Sequence, residues 1–122
     1  MVNNVVVVGS GVMGRGIAYV SAVGGFNVKL VDIEEKALES AKAEINTIFD
    51  KGVKRNKISE EQKAKAQTRL TYRTDLTDAV FDADLVIEAV PEKIAIKKEV
   101  FETIDGHAPK HCLFATNTST MS

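Results

Sequence analysis

Only one cysteine, Cys112, occurs in the 122 residues, so no internal disulfide can staple the fold. That fits a reducing compartment and makes the cytoplasm the expected location. Charge of one sign is lacking as well: 16 Lys and Arg stand against 17 Asp and Glu, a net charge of −1. No broad electrostatic argument for nucleic acid or an anionic membrane follows from such a balance. The longest uninterrupted apolar run holds about four residues, against the roughly 20 needed to cross a bilayer. The N-terminus lacks the charged-then-apolar pattern of a secretory leader, because Gly9 and Gly11 interrupt it at once. No set of Cys, His and Asp is spaced for a metal, and no repeat, low-complexity tract or Pro/Gly/Ser linker appears. What remains is an ordinary globular composition, 44% hydrophobic and 27% charged, with length enough for one domain and too little for two.

Against that plain background one segment stands out, Val5-Val6-Val7-Val8-Gly9-Ser10-Gly11-Val12-Met13-Gly14. A β-branched run meets a turn of spacing G-x-G-x-x-G, a helical pattern follows, and Asp32 stands 18 positions after Gly14. Each part answers a need of holding a dinucleotide. Gly9 permits the tight turn out of the strand, Gly11 admits the pyrophosphate to the backbone, and Gly14 lets helix and strand pack closely. The helix N-terminus, with free N–H groups and the positive end of its dipole, favours the phosphates. Asp32 accepts hydrogen bonds from the adenosine ribose, and its carboxylate repels a 2′-phosphate, which favours NAD over NADP. Ser10, Val12, Met13 and Ile33 flank these positions and join the expected cofactor contacts. Arg15, in the first helical turn, is expected to face solvent.

The rest of the chain reads as alternating strands and helices. After Val5–Val8, a helix with Met13, Ile17, Ala18 and Val20 inward is expected to stop at Gly24-Gly25. Val28–Val31 makes a second strand that delivers Asp32 to its carboxyl end. A long helix follows with Ala37, Leu38, Ala41, Ile45, Ile48 and Phe49 on one stripe. Glu34 and Glu35 open it, and Lys51, Lys54 and Arg55 close it, a polarity that suits the dipole. Ser59 and Gln62 form a capping box for a further helix to about Gln67. Leu70–Arg73 is the third strand. Asp84 introduces a fourth, Leu85–Val90, halted by Pro91. Ile96, Val100, Phe101 and Ile104 mark a helix closed by Asp105-Gly106, and Cys112–Ala115 is the fifth strand, with Cys112 buried in it. The order β-α-β-α-α-β-(α)-β-α-β specifies a Rossmann-type, doubly wound parallel sheet of strand order 3-2-1-4-5, with a helical insertion between strands 2 and 3. Three loops meet beyond the carboxyl strand ends: Gly9–Gly14, Ala89–Glu92 (with Ala89 and Val90 expected at the cofactor) and Thr116–Ser119.

With those loops in hand, the chain resembles the NAD-binding domain of the 3-hydroxyacyl-CoA dehydrogenase family, most of all its bacterial 3-hydroxybutyryl-CoA members. The matching segments are G-S-G-V-M-G-R-G-I-A (Gly9–Ala18), V-D-I (Val31–Ile33), D-L-V-I-E-A-V-P-E (Asp84–Glu92), K-K-E-V-F (Lys97–Phe101) and A-T-N-T-S (Ala115–Ser119). The last three are more specific than the glycine motif, and the helical insertion Glu34–Gln67 also looks like this family. Pro91 and Thr120-Met121 depart from its usual residues without removing a needed polar group.

The resemblance implies NAD-dependent interconversion of a 3-hydroxyacyl-CoA and a 3-oxoacyl-CoA, as in fatty-acid β-oxidation or butanoate metabolism. It implies that Glu92 and Lys97 lie near the nicotinamide-side ribose and that Asn117 lies beside the nicotinamide. Ser119 is implied as the catalytic contact to the substrate oxygen. Lys54 and Arg55, within the basic cluster Lys51–Lys57, are implied near the CoA 3′-phosphate; by themselves they read as a solvated helix end. Residues 1–122 are thus expected to be the NAD-binding domain of a longer protein. In this family the catalytic His–Glu pair, the sixth strand and a helical domain that forms a homodimer and closes the acyl-CoA cleft come later. His107 and His111 flank the start of the fifth strand, away from the cofactor, and do not qualify as the base that alcohol oxidation requires. Two other readings stay open on sequence: a stand-alone NAD(H)-binding module without catalysis, or another β-hydroxyacid-type dehydrogenase domain on the same fold.

Overall fold

The computed structural model describes residues 1–90 and 94–116, with side chains described for all of these except 94–97. The elements follow in the order β1 (Asn4–Val8), α1 (Val12–Val23), β2 (Asn27–Val31), α2 (Glu35–Lys54), α3 (Glu60–Arg69), β3 (Leu70–Arg73), α4 (Leu76–Ala79), β4 (Leu85–Glu88), α5 (Ile94–His107) and β5 (Leu113–Thr116). Five parallel strands lie in the order β3-β2-β1-β4-β5, as the alternation of elements required.

β1 is central, and its four valines are buried on both faces, which is why the run reads as continuous rather than alternating. Val5 and Val7 point into one core with Val28 and Leu30 of β2, Ala18 and Ala22 of α1, and Leu38, Ala41, Ile45 and Phe49 of α2. Val6 and Val8 point into the other with Val31, Val86, Ala79, Val80, Val100 and Ile104. The helical insertion caps the first core: Phe49 meets Tyr19 edge-to-face with ring centroids 5.0 Å apart, and Ile58 and Ala66 close over it. α3 starts where the sequence indicated. The Ser59 hydroxyl accepts from the Gln62 N–H, and the Gln62 side chain accepts from the Ser59 N–H.

Several local expectations are corrected. Met13 and Val20 do not face inward; they are 49% and 60% exposed. The stripe of α1 that meets the sheet is Gly14, Ala18 and Ala22, because the helix packs too close for large side chains. α5 runs through Asp105-Gly106 to His107, and the break falls at Pro109, whose ring disfavours helix in the residue before it. Phe101 lies largely exposed beside the Val100 and Ile104 stripe, against Phe114 at 5.8 Å. Cys112 is only half-buried and precedes β5, which spans Leu113–Thr116 instead of Cys112–Ala115. β4 ends at Glu88 rather than Val90, since the Glu88 carboxylate accepts the Val90 N–H at 3.0 Å and turns the chain away from the ladder.

The amino ends of β1, β4 and β5 are stitched by Asp84. Its Oδ2 accepts the N–H groups of Asn4 and Asn3 at 2.8 and 2.9 Å, and its Oδ1 lies 2.7 Å from His111 Nε2. Those backbone donors, and then His111, hold the carboxyl down at about 2. A carboxylate with a depressed folded-state pKa stabilises the fold above its unfolded value near 3.9, and that stability disappears as pH falls toward the folded value. Asp84→Asn is therefore expected to lower the urea midpoint at pH 7, with the gap to the parent chain closing between about pH 4 and pH 2. A gap independent of pH over that range would show that the charge plays no part.

Candidate functional site

The site is built by the backbone after β1. Gly9 adopts φ +104°, a conformation that side-chain-bearing residues rarely take, and its N–H donates to the Val31 carbonyl of β2 at 2.8 Å. A Cβ on Gly9 would stand 2.9 Å from the Ala89 carbonyl, so the loop after β4 presses directly on this turn. A Cβ on Gly14 would stand 1.8 Å from the Gly9 oxygen, so α1 can cross the strand end only with glycine there. At Gly11 the opposite holds. It is exposed, and nothing lies within 4 Å of where a Cβ would be. The three glycines thus fulfil three different demands: a left-handed turn, a backbone-to-backbone crossing and an open approach.

Gly11 is the N-cap of α1, and no side chain caps the helix. No acidic residue lies in its first turn either, so nothing within the helix itself offsets the positive end of its dipole, which faces the open side of Gly11. By contrast, α3 carries its capping box and α4 is capped by Asp75. Val12 and Met13 are exposed at this end, and Arg15 is half-buried rather than fully solvent-facing.

Asp32 lies just past the end of β2, where its own N–H still donates to Arg73 of β3 at 3.1 Å. Its Oδ2 accepts from the Ser10 N–H at 3.1 Å and the Ser10 hydroxyl at 2.7 Å, and its Oδ1 accepts from the Glu34 N–H at 3.0 Å. The carboxylate is thereby fixed against the glycine turn while also ordering the entry to α2. Ser10 turns inward, 3% exposed, with both its donors on Asp32. Ile33, next along, is among the most exposed apolar residues.

On the other side of the turn, Ala89 and Val90 are half-buried, and the Ala89 N–H donates to the Val8 carbonyl at 2.7 Å. Glu88 is fully buried. Its Oε2 takes the Val90 N–H, and its Oε1 takes the Thr116 hydroxyl at 2.7 Å, so one carboxylate ties the ends of β4 and β5 together. The linear pattern alone gives Glu88 no role. The available signal was a carboxylate ending the apolar run Leu85-Val86-Ile87, where burial is expected and charge needs partners.

The described residues therefore gather Gly9, Ser10, Gly11, Gly14, Asp32, Ala89 and Val90 around one turn. Glu92, Asn117 and Ser119, and the side chain of Lys97, lie outside the described residues. Lys54 and Arg55 are exposed at the far end of α2, about 30 Å from its start at 1.5 Å per residue. His111 is engaged with Asp84 at the amino ends of the strands, and His107 is exposed in the last turn of α5, so neither approaches the glycine turn. The Cys112 thiol is pushed up by burial and then by the Asp84 charge, which disfavours the reactive thiolate. Among the described residues no group of three or more His, Cys, Asp or Glu is placed to hold a metal, and no helix is long and apolar enough to cross a membrane.

The family model for "3-hydroxyacyl-CoA dehydrogenase, NAD binding domain" matches residues 4–122. The mitochondrial hydroxyacyl-coenzyme A dehydrogenase of Sus scrofa is 38% identical over 127 residues, covering 99% of this chain and 40% of that protein. The glyoxysomal fatty acid beta-oxidation multifunctional protein MFP-a of Brassica napus is 35% identical, covering 98% of this chain and 16% of its own length. The crystal structure of (S)-3-hydroxybutyryl-CoA dehydrogenase PaaH1 from Ralstonia eutropha superposes with a TM-score of 0.89 at 36% identity, over 98% of this chain and 42% of that one. The chain thus spans well under half the length of these relatives.

The different demands on the glycines are separable by mutation. Gly14→Ala is expected to cost about 3 kcal/mol or more of stability, since backbone must move to admit the methyl. Gly11→Ala is expected to change stability by less than about 1 kcal/mol while weakening NADH binding at least tenfold, on the order of 1.4 kcal/mol. Urea denaturation and NADH fluorescence titration read the two effects. Loss of stability at Gly11 with binding intact would contradict the assignment.

Proposed function

The chain belongs to the 3-hydroxyacyl-CoA dehydrogenase family as an NAD-binding domain, and we propose that within a longer protein it holds the cofactor for reversible hydride transfer at C3 of a 3-hydroxyacyl-CoA. Its cofactor is NAD. The residues present fit that group: open space over Gly11, an uncapped helix end behind it and a fixed carboxylate beside it. When bound, NAD supplies the hydride acceptor.

In this reading the Gly11 backbone and the N–H groups at the start of α1 receive the pyrophosphate, with Val12 and Met13 bordering it. Asp32 accepts from the adenosine ribose, and exposed Ile33 offers apolar surface to the adenine. Ala89 and Val90 line the approach to the nicotinamide half. Glu92, Lys97 and Asn117 complete that half, and Ser119 binds the substrate oxygen; the support for these four is their match to the family's segments. Lys54 and Arg55 receive the CoA phosphate, supported by their exposed cationic ends on the insertion helix. The general base that takes the alcohol proton, the acyl-CoA cleft and a homodimer contact belong to a following helical domain. The short span of the chain within its relatives supports that division. A role in β-oxidation in the cytoplasm is part of the same proposal. The names of the relatives support the first part, the single cysteine fits the second, and the named relatives include mitochondrial and glyoxysomal proteins.

The observation that carries the proposal is the Asp32 carboxylate locked against the glycine turn. NADH is expected to bind this chain more tightly than NADPH. Asp32→Ala is expected to weaken NADH by about 1.5–3 kcal/mol, the value of a hydrogen bond to a charged group. Equal affinity for the two cofactors, or an unaltered NADH affinity in the variant, would remove Asp32 from ribose recognition.

A further inference from the structure

The side chain of Ser10 has no part in a pyrophosphate cradle as this turn is built. It is almost wholly buried, and its hydroxyl and its N–H converge on a single oxygen, Asp32 Oδ2, at 2.7 and 3.1 Å. The other oxygen takes the Glu34 N–H at 3.0 Å. We propose that Ser10 is a positioning residue for Asp32 and, through it, sets the preference of this site for NAD over its 2′-phosphorylated form. The proposal rests on the reading above, that this turn and Asp32 hold a dinucleotide.

An ionised carboxylate offers about four lone-pair sites on its two oxygens. Three are occupied here, two on Oδ2 and one on Oδ1. The one left open is on Oδ1, so an incoming ribose hydroxyl meets an acceptor whose position is already decided. The terminal torsion of an aspartate is otherwise broad, and a free carboxylate swings aside at little cost. Without the Ser10 hydroxyl, Asp32 keeps two longer bonds to backbone N–H groups and gains that freedom. It then presents its acceptor to the ribose less often, and it turns away from a 2′-phosphate instead of repelling it from a fixed place. Loss of the hydroxyl thus weakens NADH without weakening NADPH, which a simple change of loop shape does not do.

The test is a set of fluorescence titrations of the 122-residue chain with NADH and with NADPH. The parent chain, Ser10→Ala, Asp32→Ala and the double variant are compared, with thermal melts to confirm folding. Ser10→Ala is expected to weaken NADH about tenfold, the low end for a charge-assisted hydrogen bond, and to leave NADPH unchanged or tighter. In the Asp32→Ala background the same substitution is expected to leave the NADH/NADPH ratio unchanged, since its route of action is gone. A Ser10→Ala variant that weakens both cofactors equally, or neither, overturns the proposal. So does an effect on the ratio that persists without Asp32. If Ser10→Ala does not fold, Ser10→Cys keeps the side chain's shape with a somewhat larger atom and supplies only a weak donor; it is expected to lower the ratio in the same direction, and an unchanged ratio overturns the proposal. A parent chain that binds no NADH overturns the dinucleotide reading itself, and is thereby told apart from a failure of Ser10 alone.

Discussion

The crossing of α1 over the end of β1 is the contact on which the rest of the structure depends. At Gly14 the helix lies so near the Gly9 carbonyl that even a methyl group has no room. Holding the helix there requires small residues one and two turns further on, and Ala18 and Ala22 provide them. The close seat brings the first turn of α1 over the carboxyl end of the sheet, within reach of whatever lies beyond β2 and β4. It also leaves that first turn without a side-chain cap, with the dipole's positive end turned to the open space at Gly11.

Two carboxylates then organise what surrounds the crossing, and they do so differently. Asp32 is partly exposed and engages the turn itself, so its charge is presented at the rim of the site. Glu88 is sealed from solvent and spends its oxygens on Val90 and Thr116, fixing where β4 and β5 release their following loops. Asp84 does comparable work at the opposite end, gathering Asn3, Asn4 and His111. Buried or half-buried acids at strand ends are costly unless several donors meet them, and here each is met. The sheet is therefore pinned at both edges of its central strands, and the glycine turn is held from two sides.

Much of this was legible in the sequence because it follows from strong, local patterns. The β-branched run at Val5–Val8, the spacing of the three glycines and the Ser59–Gln62 box each had one good structural solution, and the strand order followed from the alternation of elements. Met13 and Val20 read as inward because they are large and apolar, yet helices that sit close to a sheet bury their small residues and leave large ones at the margin. Asp105-Gly106 read as a helix stop, but a glycine inside a helix costs only about 1 kcal/mol, and Pro109 imposes the real break. Ser10 and Glu88 were harder still. Which way a turn residue points, and which buried acid finds donors, depend on backbone from β2, β4 and β5 that a linear reading does not bring together.

The central claim is that a dinucleotide lies across Gly11 onto the first turn of α1, with Asp32 at its ribose. Amide chemical shifts of the isotopically labelled chain during an NADH titration test it most directly. The account predicts the largest shifts at Gly11, Met13, Gly14, Asp32 and Ile33, with Asn3, Asp84 and His111 at the far end of the sheet unmoved. Shifts centred on the latter group, or a glycine turn indifferent to NADH, would contradict it.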